Sequence, residues 1–298
     1  MVVEKVEDGS LLTELDVNSK STVQANALLR LGVFVPVKRS KRIVDGSGES
    51  MRAMPVGHCF DASDEFRTLQ IVRREGYQKI LITGLKLNFD TDFKVWCGIV
   101  LAFNQEGYRR DGVRLPFKEF AKMCGFPSKR MDAALRERVS ESLVRIRNQT
   151  IRFEQATKSS KDYIGGLLSA AEFDVDADYI ELFPDPKLWE LYQIDHQVLV
   201  QLKAMSKLPR QEAAQCLYVF LCALPVSPHP ISFSRLRERM QLTSSKVAEQ
   251  NRTITAAIKK LVDIGYLQCD VVKKGSERFL IVEKRCPKLS LVPGLIEM

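Results

Sequence analysis

A chain of 298 residues, 45% of them hydrophobic, is long enough to bury two cores, and its 45 Lys and Arg against 37 Asp and Glu give a formal charge of +8 and a pI near 9.1, which favours an anionic partner. The longest apolar run, Cys216 to Val226, is too short to span a bilayer, and the acidic Met1 to Gly9 is unlike a signal peptide, so a cytoplasmic protein is expected. Seven cysteines with no C-x-x-C pair, and three histidines far apart at 58, 196 and 229, match neither a disulfide framework nor a ligand set; reduced thiols, no metal and no cofactor are expected.

In chain order, residues 1 to 25 read as loosely attached, with a polar Ser10 to Thr22 stretch and few large apolar groups. Ala27 to Val37 is denser. Its Leu28, Leu31, Val33, Phe34 and Val35 require a docking surface, and Lys38, Arg39, Lys41 and Arg42 form a basic run before the linker Asp45 to Ser50. Phe66, Leu69 and Ile71 predict a helix over Asp61 to Gly76, and Lys79 to Thr83 a short strand. Phe93, Trp96, Ile99, Val100 and Phe103 recur at helical spacing and predict a buried helix over Thr91 to Asn104.

Val113 to Leu115 then reads as a strand, Phe117 to Cys124 as a short helix, Gly125 to Pro127 as a turn, and Ser128 as the start of a long helix with Leu135, Val139, Leu143 and Ile146 on one side. Its outward face carries Lys129, Arg130, Ala133, Glu137 and Ser140, with Arg136 beside them. Thr150 to Gln155 and Tyr163 to Phe173 are predicted as the strands of this unit, with Lys158 to Lys161 as its wing. Asp174, Asp176 and Asp178 are clustered carboxylates of the kind that nucleases use to hold a divalent metal. Because Phe173 and Tyr179 flank them as strand residues and Asp favours turns, a polar hairpin turn is the expectation. Tyr179 to Phe183 continues the sheet, and Pro184 to Gln193 and Asp195 to Met205 are predicted as bridging helices.

Pro209 to Leu224 places Ala213, Leu217, Phe220, Leu221 and Leu224 on one helical face. After the loop Ser227 to Pro230, the order of the earlier unit returns. Ser232 is a plausible N-cap for a short helix through Phe233, Leu236 and Met240. Ser244 or Ser245 is expected to cap a longer one whose Val247, Ile254, Ile258 and Leu261 form a single apolar stripe that ends at Gly265. Opposite that stripe lie Ser245, Glu249, Arg252, Thr253, Ala256, Lys259 and Lys260, with Lys246 at its start and Asn251 at its shoulder. Tyr266 to Val272 and Arg278 to Glu283 read as strands joined by Lys273, Lys274, Gly275, Ser276 and Glu277, a wing with two adjacent cations. From 231 to 286 twelve Lys and Arg face six Asp and Glu. Charge, helix spacing and wing together point to a nucleic-acid interface. Leu115-Pro116-Phe117 stands where Ile231-Ser232-Phe233 stands, and Ser128-Lys129-Arg130 where Ser244-Ser245-Lys246 stands, so the two stretches share one plan. The predicted fold class is α+β: tandem winged-helix domains, mainly helical with small antiparallel sheets.

Thr22 to Pro36 (TVQANALLRLGVFVP), Asp90 to Trp96 (DTDFKVW), Glu119 to Arg130 (EFAKMCGFPSKR), Leu188 to Tyr192 (LWELY), Glu249 to Arg252 (EQNR) and Ile264 to Leu267 (IGYL) make the chain resemble the RepA-type replication initiators of iteron plasmids and plasmid-prophages, from about Ser21 to Lys288. The resemblance implies a sequence-specific double-stranded DNA-binding protein that binds directly repeated origin sites, recruits the host initiator and replicative helicase, and represses its own gene. It further implies an inactive homodimer converted to binding-competent monomers by DnaK-type chaperones or a Clp-type unfoldase. The alternatives are a dedicated transcriptional regulator with the same modules and a metal-dependent origin-nicking enzyme. Neither G-x-x-x-x-G-K-[ST] nor G-x-G-x-x-G occurs, so an enzyme is not expected. The expected DNA-binding residues are Lys129, Arg130, Arg136, Ser245, Lys246, Glu249, Asn251, Arg252, Lys259, Lys260, Lys273, Lys274 and Arg278. The expected division is a partly disordered extension over 1–60, a first winged-helix domain with bridging helices over 61–205, a second over 206–288 and a tail over 289–298.

Overall fold

The computed structural model describes residues 21–37, 42–44, 50–52, 58–61, 77–107, 111–155, 163–174, 176–186, 188 and 197–290. The basic run at 38–41, the helix expected over 61–76 and the wing expected at 158–161 lie largely or wholly outside them. Two winged-helix units carry the mixed α+β fold. In the first, strand Val113–Pro116 leads into helix Phe117–Met123, helix Ala133–Arg147 and the hairpin of Leu168–Asp174 with Tyr179–Pro184. In the second, strand Ile231–Ser232 leads into helix Phe233–Arg239, helix Val247–Asp263 and the hairpin of Leu267–Lys274 with Glu277–Arg285. In each, the last hairpin strand lies at the centre of a three-stranded antiparallel sheet, between the short entry strand and its hairpin partner.

The correspondence extends to single hydrogen bonds at the end of the short helix. In the first unit Gly125 N donates to Lys122 O at 2.9 Å and Phe126 N to Ala121 O at 3.0 Å; in the second Gln241 N donates to Glu238 O at 2.9 Å and Leu242 N to Arg237 O at 3.1 Å. This is the left-handed C-terminal closure that satisfies a helix's last carbonyls. Glycine meets its positive φ in one copy, 75° at Gly125, while Gln241 accepts 45° in the other. Beneath both units the apolar side chains form one continuous buried cluster, from Leu28 and Trp96 through Phe117 and Leu143 to Phe220, Phe233 and Ile258.

Several local readings change. Ser128 opens a single 3-10 turn, Ser128–Arg130, and the long helix starts only at Ala133, where the Asp132 carboxylate accepts from Leu135 N at 2.8 Å. In the second unit Lys246 occupies the cap position without a side-chain bond, and the Ser244 hydroxyl accepts from Lys246 N at 3.4 Å. Val247 stands beyond the body that buries Ile254 and Ile258 and is 54% exposed, so the apolar stripe begins later than its spacing implied.

The first unit's wing also moves. Thr150–Gln155 pairs with Tyr77–Gly84 on one side and Tyr163–Gly166 on the other, inside a four-stranded sheet whose far strand is His58–Asp61. Ile151 and Phe153 pair with Ile82 and Ile80, and all four are buried. The hairpin 150–166 is thus an insertion between the long helix and the wing, which is Leu168–Asp174 with Tyr179–Pro184.

Of the segment expected to be loosely attached, residues 1–20 lie outside the described residues, and Ser21–Ala25 is buried throughout and pairs antiparallel with Gln197–Gln201, where the sequence predicted helix. Its polar groups are satisfied internally, with Trp96 Nε1 donating to Gln24 Oε1 at 2.8 Å and Gln24 Nε2 to Thr22 Oγ1 at 2.8 Å. From there the chain seams the two units together. Phe34 meets Phe93 edge-on at 5.1 Å. Arg239, 3% exposed, donates from the second unit to the carbonyls of Phe34, at 3.2 Å, and Leu29. Tyr218 closes the other side, its hydroxyl accepting from Gln201 N at 3.1 Å and donating to Gln201 O at 3.2 Å.

Candidate nucleic-acid interface

The helix Val247–Asp263 buries Ile254, Ala257, Ile258, Leu261 and Val262 and leaves Glu249, Arg252, Thr253, Ala256, Lys259 and Lys260 exposed. That division follows from the sequence, because apolar residues at three- and four-residue spacing form one stripe and the rest must face water. Ser245 and Lys246 are exposed in the turn before it. Gln250 fixes that turn: its Nε2 donates to Leu242 O at 3.3 Å and also to Ser244 O. The Ser244 hydroxyl donates to a Glu249 carboxylate oxygen, and Thr253 Oγ1 donates to Glu249 O at 3.1 Å.

The wing stands beside this helix. Gly275, at φ 64°, opens the tight turn Gly275-Ser276, and the strands pair Lys274 with Glu277 and Lys273 with Arg278. Two cations directly opposite each other destabilise a sheet, and here both are exposed, an arrangement that an anion between or beside them would relieve. Helix and wing are tied through Arg237, whose Nη1 donates to Asn251 Oδ1 at 2.7 Å while Nη2 lies 3.5 Å from Glu277 Oε2. Asn251, expected at the base-reading face, is half-buried and its carbonyl oxygen is engaged by this arginine.

The first unit differs in its charges. Lys129 is exposed, and Arg130 ends the same 3-10 turn. The Arg136 side chain is 25% exposed: its Nε and Nη2 hold Asp178 Oδ1 at 3.0 and 2.9 Å, its Nη1 donates to Met131 O at 2.9 Å, and its guanidinium lies 4.7 Å from the centre of the Phe117 ring. Arg138 donates to Thr91 Oγ1 at 3.2 Å, and Arg145 grips the fully buried Asp92, which also accepts from Ser142 Oγ at 2.7 Å. Three cations of this helix, Arg136, Arg138 and Arg145, are therefore turned to its own protein, and Arg147 in its last turn is exposed. Its wing, Leu168 to Pro184, carries Glu172, Asp174, Asp176, Asp178 and Glu181 and no Lys or Arg. Asp174 Oδ1 accepts from Ala177 N at 2.8 Å, closing the hairpin turn. Among the described residues no group of His, Cys, Asp and Glu could hold a metal ion, and no helix is long and apolar enough to cross a membrane.

Sequence spacing found the exposed face of the second long helix and its wing. It missed Arg237 as the tie between them, because nothing local distinguishes a cation that faces solvent from one that meets a partner 40 residues away.

Residues 92–222 match the family model described as Initiator Replication protein, WH1. The chain is 50% identical over 278 residues to "Replication protein RepA" of Escherichia coli, covering 93% of each, and 43% identical over 282 residues to "RepFIB replication protein A" of Escherichia coli, covering 94% of this chain and 84% of that one. Among solved structures it is similar to domains 2 and 3 of RctB, with a TM-score of 0.51 at 9% identity over 88% of this chain and 98% of that one, a likeness of fold alone. The chain belongs to the RepA family of initiator replication proteins.

Proposed function

We propose that this initiator binds directly repeated duplex sites at a plasmid origin, with the second unit reading sequence and the first extending the contact along the duplex. The observation that carries the reading is the exposure of the second unit's cations, Arg252, Lys259 and Lys260 on the helix and Lys273, Lys274 and Arg278 on the wing. A helix of this size fits the major groove, where arginine can take guanine O6 and N7 together, and wing cations suit the phosphates. In the first unit Lys129, which is exposed, suits a phosphate contact; Arg136, pinned to Asp178, serves to hold the wing against the helix. The domain division at about 205 fits the same reading, each side of it carrying one winged-helix unit. Recruitment of the host initiator and helicase, and repression of its own gene, are part of the same proposal and are supported by the family resemblance.

Self-association fits an edge strand. Ile151–Phe153 is interior to its sheet, so the strand open to a second copy is Tyr163–Gly166, which among the described residues pairs only with Thr150–Phe153 and leaves Ile164 62% exposed. We place the inactive dimer, the target of chaperone or unfoldase action, at this edge.

The test is competition binding of the full chain at one fixed salt concentration, with a duplex carrying the origin repeats against a scrambled duplex of equal composition. A preference of about a thousandfold or more is expected. Equal binding to both would contradict the reading. Persistent nicking of supercoiled origin DNA in magnesium or manganese would instead favour an enzyme.

A further inference from the structure

We propose that Thr253 reads a thymine, through its methyl group, in the site that the second unit binds. The assignment rests on the placement of Val247–Asp263 in the major groove and adds to it a specific base. Thr253 is exposed on the outward face of the helix, one position from Arg252 and three from Ala256. Its hydroxyl is already committed: Oγ1 donates to the carbonyl of Glu249 at 3.1 Å, the back-bond to the preceding turn that threonine makes inside helices. With that proton engaged the hydroxyl has no donor left for a base, and Cγ2 is an apolar atom in the middle of a polar face.

The neighbours support the same chemistry. Ala256, also exposed, lies less than one turn further on and presents only a methyl, so the helix can approach a base edge closely there. Arg252 and Lys259 flank the pair with charge. In the major groove the one apolar feature of a base pair is the C5-methyl of thymine, which alanine and the threonine methyl contact. A helix face that sets a guanidinium beside two methyl groups is thus matched to a guanine with a thymine one or two steps away.

The experiment uses the full chain on a duplex containing one repeat, with each thymine replaced singly by uracil, which removes the methyl and nothing else. Wild type is expected to lose about fourfold in affinity at one or two thymines, the effect of one methyl withdrawn from apolar contact. Thr253→Ser keeps the hydroxyl bond to Glu249 and drops the methyl; it should bind the thymine site about fourfold more weakly and no longer distinguish uracil at that position. Thr253→Val keeps the methyl and drops the hydroxyl; it should keep the discrimination. Insensitivity of wild type to uracil at every thymine, full discrimination by Thr253→Ser, or its loss in Thr253→Val would each overturn the assignment. If wild type showed no preference for the repeat over scrambled duplex, the failure would belong to the groove placement itself.

Discussion

Single side chains divide this interface into those that specify and those that hold. Arg252 is exposed at the second turn of its helix, whereas Arg136 of the other unit is closed onto Asp178, though both read as outward cations in the sequence. Arg252→Ala should lose about 1 to 3 kcal/mol on the cognate repeat and relax one position of the site, while Lys273→Ala should weaken all sequences alike and lower the salt slope by about one. Competition titrations at several salt concentrations separate the two; wild-type affinity and selectivity in Arg252→Ala would contradict its placement. The thiols are sorted by environment as well. Burial pushes Cys97 up to about 12 and raises Cys124, whereas hydrogen bonding with Ser290 brings Cys286 down to about 7. Because the thiolate is the reactive form, alkylation of Cys286 should fall about tenfold per unit as pH drops below 7 and outrun Cys97 and Cys124 at pH 8. Mass mapping after brief iodoacetamide treatment reads this directly.

Elements are positioned by a few buried polar contacts. Asp92, with no exposed surface, begins the helix Asp92–Glu106 and draws Ser142 and Arg145 of the first unit's long helix to itself. Asp92→Asn leaves Arg145 with only the half-exposed Glu141, 3.6 Å away, as a charge partner and should cost about 3 kcal/mol in urea unfolding; an unchanged midpoint would show that the buried pair contributes nothing. At Gly98 a Cβ would lie 2.4 Å from Cys124 Sγ, so Gly98→Ala should destabilise by about 1 to 3 kcal/mol despite alanine's better helix propensity. The long helices, their buried faces and the paired plan of the two units were legible in sequence because 3.6-residue spacing is local information. The sheets were less so. A strand such as Thr150–Gln155 looks the same whichever partner it takes, and the partner here, Tyr77–Gly84, is far away in the chain. Ser21–Ala25 misled for a related reason: Ser, Thr and Gln suggest solvent until the bonds among Gln24, Thr22 and Trp96 are seen.

At the scale of the molecule, the two units share a fold but not a charge. The second has a basic helix and wing, and the first a wing with five acids and no cation; a chain with unlike halves suits an asymmetric site, and so direct repeats rather than palindromes. Arg239 matters here because it fastens the segment between the units. Arg239→Ala strips donors from the carbonyls of Leu29 and Phe34 and should speed amide exchange across residues 28–35 at least fivefold. Exchange at the wild-type rate would assign the seam to apolar packing alone. One copy is expected to lay both units along one repeat. Hydroxyl-radical footprinting on a duplex with a single repeat, combined with light scattering of the complex, tests it most directly: protection over roughly 20 base pairs, two helical turns, by one copy is expected, and protection confined to about 10 base pairs, or two copies on one repeat, would contradict it.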